Sequence, residues 1–325
     1  MRVVIVRVLT LIILCSFSVG ESKQERGWAL LQHCLHETLN NAHPTPYALP
    51  ATFTFARPRA DPAPGTYKLQ WISWDRWRRE IKVGNLLEIA VGGKSKKWIQ
   101  RSLDAEPLLA QRLITSIEYL QDLHLDTADQ ITKINTQKRS GVQLQCVSYK
   151  RVVGLERTLC FDDRNGSLAL VRDGLWDFEY SQPKEFDGRF LPSTIRISNQ
   201  GHLRMEASVN LGTLDSMDAT RCDVPLKSQE WSNCEKPVPG KALLKVPPKY
   251  PERARQDHVE GTVVLYHVIE SDGSLQNLKV IQSAGADLDQ AAMTAVKQWK
   301  YAPTTCEGTP IRVESETQIN FTLSY

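Results

Sequence analysis

From residue 52 to residue 210 one pattern recurs: short segments of alternating apolar and polar residues, separated by tight-turn residues. Alternation sends successive side chains to opposite faces, so each segment is a strand with one buried and one wet face. The segments are 52–55, 67–72, 77–83, 86–91 and 98–99, then 142–151, 157–161, 167–171, 176–180, 193–198 and 202–210. Gly92-Gly93, Asn165-Gly166 and Asn199-Gln200-Gly201 supply turns, and strands joined this tightly pair antiparallel. Two helices interrupt. Residues 25–41 repeat Trp28, Leu31, Leu35 and Leu39 on one face, and residues 106–123 repeat Leu109, Leu113, Ile117 and Leu120. So many strands with so few helices predict an α+β chain that starts with an open, curved antiparallel β half-barrel with helices.

Residues 222–249 differ in texture. Pro225, Pro237, Pro239, Pro247 and Pro248 crowd a stretch with little periodicity, which reads as a linker. A second, smaller unit follows at 250–325. Strand 262–270, the turn Ser271-Asp272-Gly273 and strand 275–282 form a hairpin. Asp287 then caps a helix with Gln290 in the third position, and Leu288, Ala291, Ala292, Ala295, Val296 and Trp299 form its apolar stripe. Strand 311–323 closes the unit, with Val313, Ser315, Thr317, Ile319, Phe321 and Leu323 on one face. The other face, Arg312, Glu314, Glu316, Gln318, Asn320 and Thr322, reads as solvent-facing. A small three-stranded antiparallel sheet with helices is the expected fold.

Arg2 and Arg7 precede an uncharged run at 8–19, and Ser18 and Gly20 are the small residues a signal peptidase needs. The run is shorter than the roughly 20 residues of a membrane-crossing helix. Export with cleavage after Gly20 is expected, leaving residues 27–221 as the first domain of a periplasmic protein. The alternative is an uncleaved anchor in the inner membrane. Lys and Arg total 40 against 37 Asp and Glu, so nothing electrostatic points to nucleic acid. Of seven cysteines, six remain after Cys15 is removed with the signal, an even number that favours disulfides in an exported chain. Cys146 and Cys160 lie equidistant from a turn near Val153-Gly154, opposite each other on adjacent strands, and are expected to bond. Cys222 with Cys234 is a second pairing across a short Pro-containing loop; it leaves Cys34 and Cys306, which meet only if the domains touch.

The second unit resembles the C-terminal domain of the TonB family. The residues that carry this are Tyr250-Pro251, Ala254, Gly261-Thr262-Val263, Asp272-Gly273, Val280, Ser283, Leu288, Ala291-Ala292, Trp299, Tyr301, Pro303, Gly308, Pro310 and Ile319-Asn320-Phe321. The resemblance implies a domain that engages the periplasmic face of an outer-membrane TonB-dependent receptor by taking a receptor peptide as an added strand. A full transducer also has a polar-faced membrane helix and a spacer that reaches across the periplasm. The hydrophobic segment here is short and lacks His, and a few tens of residues at about 3.1 Å each cannot span that distance, which argues against direct energy transduction. The first unit more loosely resembles the LolA and LolB lipoprotein carriers. The cues are strand 67–71 followed by Trp77-Arg78-Arg79-Glu80, and Phe186-Asp187-Gly188 with Phe190-Leu191-Pro192. That resemblance implies an apolar interior.

The candidate working surface is therefore the last strand, with Arg312, Glu314, Glu316, Gln318, Asn320 and Thr322 along the edge expected to receive a receptor strand or a second copy. Trp71, Trp77 and Trp98 are either sheet packing or the wall of an apolar cavity, with a lipid as the implied ligand. His33 and His36 lack a carboxylate at ligand spacing, and Gly92-Gly93-Lys94-Ser95 lacks the earlier glycine of a phosphate loop. No catalytic residues, cofactor or metal follow from the motifs. The leading function is transport accessory by receptor docking, the alternative an acyl-chain carrier, and a hydrolase is disfavoured.

Overall fold

The computed structural model describes residues 22–35, 39, 46–56, 64–123, 125, 128–150, 156–214, 223–234 and 237–323. The expected signal segment lies outside them. In chain order the first domain contains α1 (Lys23–Leu35), β1 (Tyr47–Phe55), β2 (Gly65–Ser73), β3 (Arg76–Val83), β4 (Leu86–Gly92) and β5 (Lys96–Arg101). There follow α2 (Leu108–Gln121), β6 (Gln130–Arg139), β7 (Val142–Lys150), β8 (Glu156–Asp162), β9 (Leu168–Asp173) and β10 (Trp176–Phe186). β11 (Arg189–Asn199), β12 (His202–Val209) and β13 (Gly212–Thr213) end that run.

These strands, with β14 (Gln229–Ser232), form one antiparallel sheet in the order β14-β5-β4-β3-β2-β1-β12-β11-β10-β9-β8-β7-β6, with β13 against β1. No pairing joins β14 to β6 among the described residues, so the sheet is open. Its inner face carries Tyr47, Leu49, Phe53, Tyr67, Leu69, Ile81, Phe178, Ile195, Ile197 and Met205, all buried, and α2 packs into this core through Leu113, Ile117 and Leu120. Alternation does the sorting: Cys146, Cys160, Leu144 and Leu170 point the other way and form a small cluster on the outer face.

β6 has no counterpart among the expected strands. Its sequence QITKINTQKR is polar almost throughout, and Ile131 is its one fully buried side chain, so periodicity carries little signal there. α1 covers its start: Ile131 donates its N–H to Gln24 at 2.8 Å, and Gln24 donates to the Asp129 carbonyl at 2.9 Å. The Gly92-Gly93-Lys94-Ser95 segment is the β4–β5 turn, closed by Gly93 N–H to the Lys96 carbonyl at 2.7 Å.

The second domain contains β15 (Ala242–Leu244), α3 (Glu252–Gln256), β16 (Gly261–Ile269), β17 (Leu275–Gln282) and α4 (Ala286–Val296), then β18 (Lys300–Tyr301), β19 (Thr304–Cys306), β20 (Thr309–Ile311) and β21 (Val313–Phe321). The three-stranded sheet is ordered β17-β16-β21, with both pairings antiparallel. Gly273 shapes the β16–β17 turn at φ +82°, and a Cβ there would lie 1.9 Å from the Tyr301 carbonyl oxygen, so only glycine fits. The start of α4 differs from expectation. Gly285 is its N-cap, and Asp289 accepts from Ala284 N–H at 3.0 Å and from the Ser283 hydroxyl at 2.6 Å. Asp289 reaches back over the turn in place of Asp287 and Gln290.

The Pro-rich segment is not a free spacer. β14 pairs with β5, Val238 bridges to Thr305, β15 pairs with β18, and Trp299 donates its indole N–H to the Val246 carbonyl at 2.8 Å. Prolines suppress periodicity without preventing isolated strand pairing at sheet edges, and edges are where β14 and β15 sit. Cys146 and Cys160 are bonded, in direct register on β7 and β8. The pairing of Cys222 with Cys234 is overturned: Cys234 bonds Cys306, because the domains do touch. Cys222 lies outside the described residues, and Cys34 is buried in α1. No helix among the described residues is long and apolar enough to cross a membrane. The Cys146–Cys160 bond closes a loop with a sequence separation of 14, for which the chain-entropy estimate is about 3 kcal/mol. Replacing both with serine is expected to lower the urea unfolding free energy by about that amount while the far-ultraviolet circular dichroism is unchanged.

Candidate functional site

The small sheet of the second domain is covered on both faces along its central strand. On one face, Leu288, Ala292 and Val296 of α4, with Trp299, pack on Val263, Leu265, Ile319 and Phe321. On the other, Val264, Tyr266 and Val268 join the core of the first domain and are at most 2% exposed. This second face was legible in principle. β16 reads GTVVLYHVI, apolar from Val263 to Ile269 but for His267, which is the pattern of a strand buried on both sides.

The row of residues expected to face solvent on the last strand divides in two. Glu314 accepts from Arg101 Nη1 at 2.9 Å and from the Tyr266 hydroxyl at 2.5 Å. Glu316 is paired with Arg112 of α2. Arg312, just before β21, lies 3.1 Å from Glu270 and stacks its guanidinium 4.3 Å above the Trp231 ring of β14. Gln318 is half-buried, whereas Asn320 and Thr322 are exposed. The first half of this face is thus a domain interface, since Arg101 and Arg112 offer it charge partners. β21 keeps its outer side free of any strand among the described residues, being the last in the order β17-β16-β21.

Behind Arg101 lies a charge cluster that sequence patterning did not reveal. Glu88, with no exposed surface, accepts from Arg79 Nη2 at 2.7 Å and from Arg101 Nε at 2.6 Å. Burial alone would raise the Glu88 carboxyl, but the two guanidiniums hold it below the usual range. Glu314 follows the same logic: burial opposes its charge, and Arg101 overcomes that. Glu106 is the reverse case, pushed well above the ordinary value by burial and then by the Glu88 charge. The only sequence hint was charged residues on the inward phase of alternating strands, Arg79 beside Trp77 and Ile81 and Glu88 beside Leu86 and Ala90.

At the same junction is a cavity of about 380 Å³. Trp71, Trp74, Trp77, Tyr67 and Ile99 wall it from the first domain, Gln121 and Asp122 from the end of α2, and Ile311 and Val313 from the second domain. Trp71 stacks on Tyr47 and meets Trp74 edge-on, with centroids 6.4 and 6.0 Å apart. Trp98 does not share this wall. It falls between Lys97 and Ile99, which do, so alternation turns it to the opposite face, where its ring packs over Gly93.

The second domain is a small antiparallel sheet whose end strands, β17 and β21, each keep one side without a strand partner among the described residues, with α4 packed on one face. Residues 246–323 match the family described as Gram-negative bacterial TonB protein C-terminal. The chain is 34% identical over 86 residues to Protein TonB of Vibrio cholerae, covering 26% of this chain and 35% of that protein. It is 35% identical over 79 residues to Protein TonB of Xanthomonas campestris pv. campestris, covering 24% and 35%. The chain therefore spans about a third of the length of these relatives. Two solved structures overlap the sheet-rich part. A LolA superfamily protein from Nitrosomonas europaea has a TM-score of 0.43 at 10% identity, covering 59% of this chain and 97% of that one. A DUF1329 family protein from Desulfovibrio piger has a TM-score of 0.46 at 9% identity, covering 62% and 98%. Scores this low carry no argument about what the first domain binds.

Two measurements probe the junction. Arg101→Ala removes one of two partners of a fully buried carboxylate, so the unfolding free energy is expected to fall by about 3 kcal/mol. Lys279→Ala, which removes an ion pair to the exposed Asp104, is expected to leave the denaturation midpoint unchanged. His267 in β16 is fully buried, its Nε2 3.0 Å from the Thr317 hydroxyl, and burial lowers its pKa to about 4. Because the unfolded imidazole takes a proton near pH 6.5 and the folded one resists until about 4, this stability is complete above 6.5 and is lost as pH falls toward 4. A His267→Gln variant is expected to lose about 3 kcal/mol less than wild type over that window in pH-dependent urea titrations.

Proposed function

We propose that this is a periplasmic, TonB-like transport accessory whose second domain takes an extended segment of an outer-membrane TonB-dependent receptor as a fourth strand beside β21. The observation that carries this reading is the open outer side of β21 in a domain that matches the TonB C-terminal family. A strand added there gains affinity from main-chain bonds and asks little of side chains. Asn320 and Thr322 leave the far end of the strand uncharged and exposed, so nothing repels an incoming backbone there. Glu314 and Glu316, which would discourage strand pairing if they stood free, are neutralised by Arg101 and Arg112. In this reading the first domain is a fixed base that holds the sheet by its inner face. The role is non-catalytic.

Hydrogen exchange tests it directly. Along an edge strand, N–H groups alternate between the neighbour and solvent, so every second amide of β21 is expected to exchange fast in the free protein. A synthetic receptor peptide is expected to protect those amides and no others in the sheet. Gln318→Pro, checked for folding by circular dichroism, is expected to weaken peptide binding by at least tenfold, whereas Asn320→Ala changes it little. Protection that appears on β17 instead, or on two copies of β21 in a peptide-free dimer, would replace this reading.

A further inference from the structure

The cavity at the domain junction and the open edge of β21 are neighbours, because Ile311 and Val313, which lead into β21, form part of the cavity wall. We propose that the two are one composite site: the edge pairs with the backbone of the bound segment, and the cavity receives one aromatic side chain from the end of that segment beside Val313. This rests on the strand-docking reading above and adds to it the chemistry of the partner.

Three features of the cavity favour an aromatic side chain over a lipid tail or water. Its volume, about 380 Å³, sits at the small end of the roughly 300–1,000 Å³ of ligand pockets, room for a large side chain and some solvent. Its wall contains Trp71, Trp74 and Trp77, whose rings offer edges and faces to another ring at the usual offset geometries. The wall is also not wholly apolar. The indole N–H of Trp71, a residue 6% exposed, and the Nε–H of Arg79 are buried without an acceptor. Buried donors without acceptors are uncommon and costly, and a peptide carbonyl entering with the anchor would satisfy one of them. An acyl chain brings no acceptor that deep.

The position is also mechanically sensible for recognition. Strand addition by itself reads almost no sequence, since main-chain bonds are the same for every residue. A pocket at one end of the edge fixes register, because a one-residue slip would turn the anchor to the opposite face. The walls come from both domains, so the site exists only while the second domain is seated on the first.

The test uses the full mature chain and three ten-residue peptides of alternating Thr and Val. One carries Phe at its first position, one Phe at its last, and one Ala at both. Isothermal titration calorimetry is expected to show one Phe peptide binding at least tenfold tighter than the Ala peptide, with a change in intrinsic tryptophan emission only for that one. Ser232→Trp, which fills part of the cavity, is expected to abolish the advantage and leave the affinity for the Ala peptide as it was; Ser73→Trp serves if that variant does not fold. Equal binding of all three peptides removes the anchor and leaves strand docking standing. Failure of all three to bind removes both. An advantage that survives filling, or a fluorescent fatty acid that occupies the cavity without competing with the Phe peptide, overturns the assignment in favour of another pocket or of lipid carriage.

Discussion

The Glu88 carboxylate, held between Arg79 and Arg101, is the interaction on which the joining of the two domains depends. A carboxylate without solvent is tolerable only with partners of good geometry, and here two guanidiniums at 2.7 and 2.6 Å supply them. Glu88 fixes Arg101, Arg101 presents Nη1 to Glu314, and Glu314 takes the Tyr266 hydroxyl from the neighbouring strand. One buried acid thus orients a chain of charges from the interior of the large sheet to the face of the small one. The apolar contribution of Val264, Tyr266 and Val268 supplies attraction without direction, and the charges supply the register.

This arrangement changes what a TonB-like domain can do in such a chain. A domain on a flexible tether searches a volume, and its orientation is set by what it finds. A domain seated by one sheet face, with the segment before it paired to the large sheet through β14 and cross-linked at Cys234–Cys306, presents its open strand in one direction relative to its base. The cost of ordering that orientation is then met in folding.

Most strands of the first domain and the hairpin, helix and last strand of the second were legible because alternation and turn residues are local signals, whereas the strand order, with β1 beside β12, was not. Trp176 to Tyr180 alternate as expected, and Gly273 marks its turn by need. Cys146 and Cys160 were legible for the same reason, since register within a hairpin is counted from its turn. What was hidden depends on distant partners. Glu314 and Glu316 read as wet because sequence gives their charge and not the arginines 213 and 204 residues away. Trp98 was open to either sheet packing or a cavity wall, and its phase opposite to Lys97 and Ile99 turns it away from the cavity. Cys306 found Cys234 only through the packing of whole domains.

The Cys234–Cys306 bond also decides how a pull would travel. A load applied along β21 strains the β21–β16 ladder in shear, along the strands, where many hydrogen bonds resist together. From Val313 the covalent path back runs through Cys306 and crosses at once to Cys234, bypassing the sequence separation of 72 residues between them. Along that covalent path the intervening chain, about 240 Å if drawn out straight, cannot pay out as slack, and β16 within it takes load only through its ladder with β21. A tug on the edge therefore arrives at β14 and the large sheet as displacement of a stiff body, with no unravelling of the proline-rich segment to absorb it.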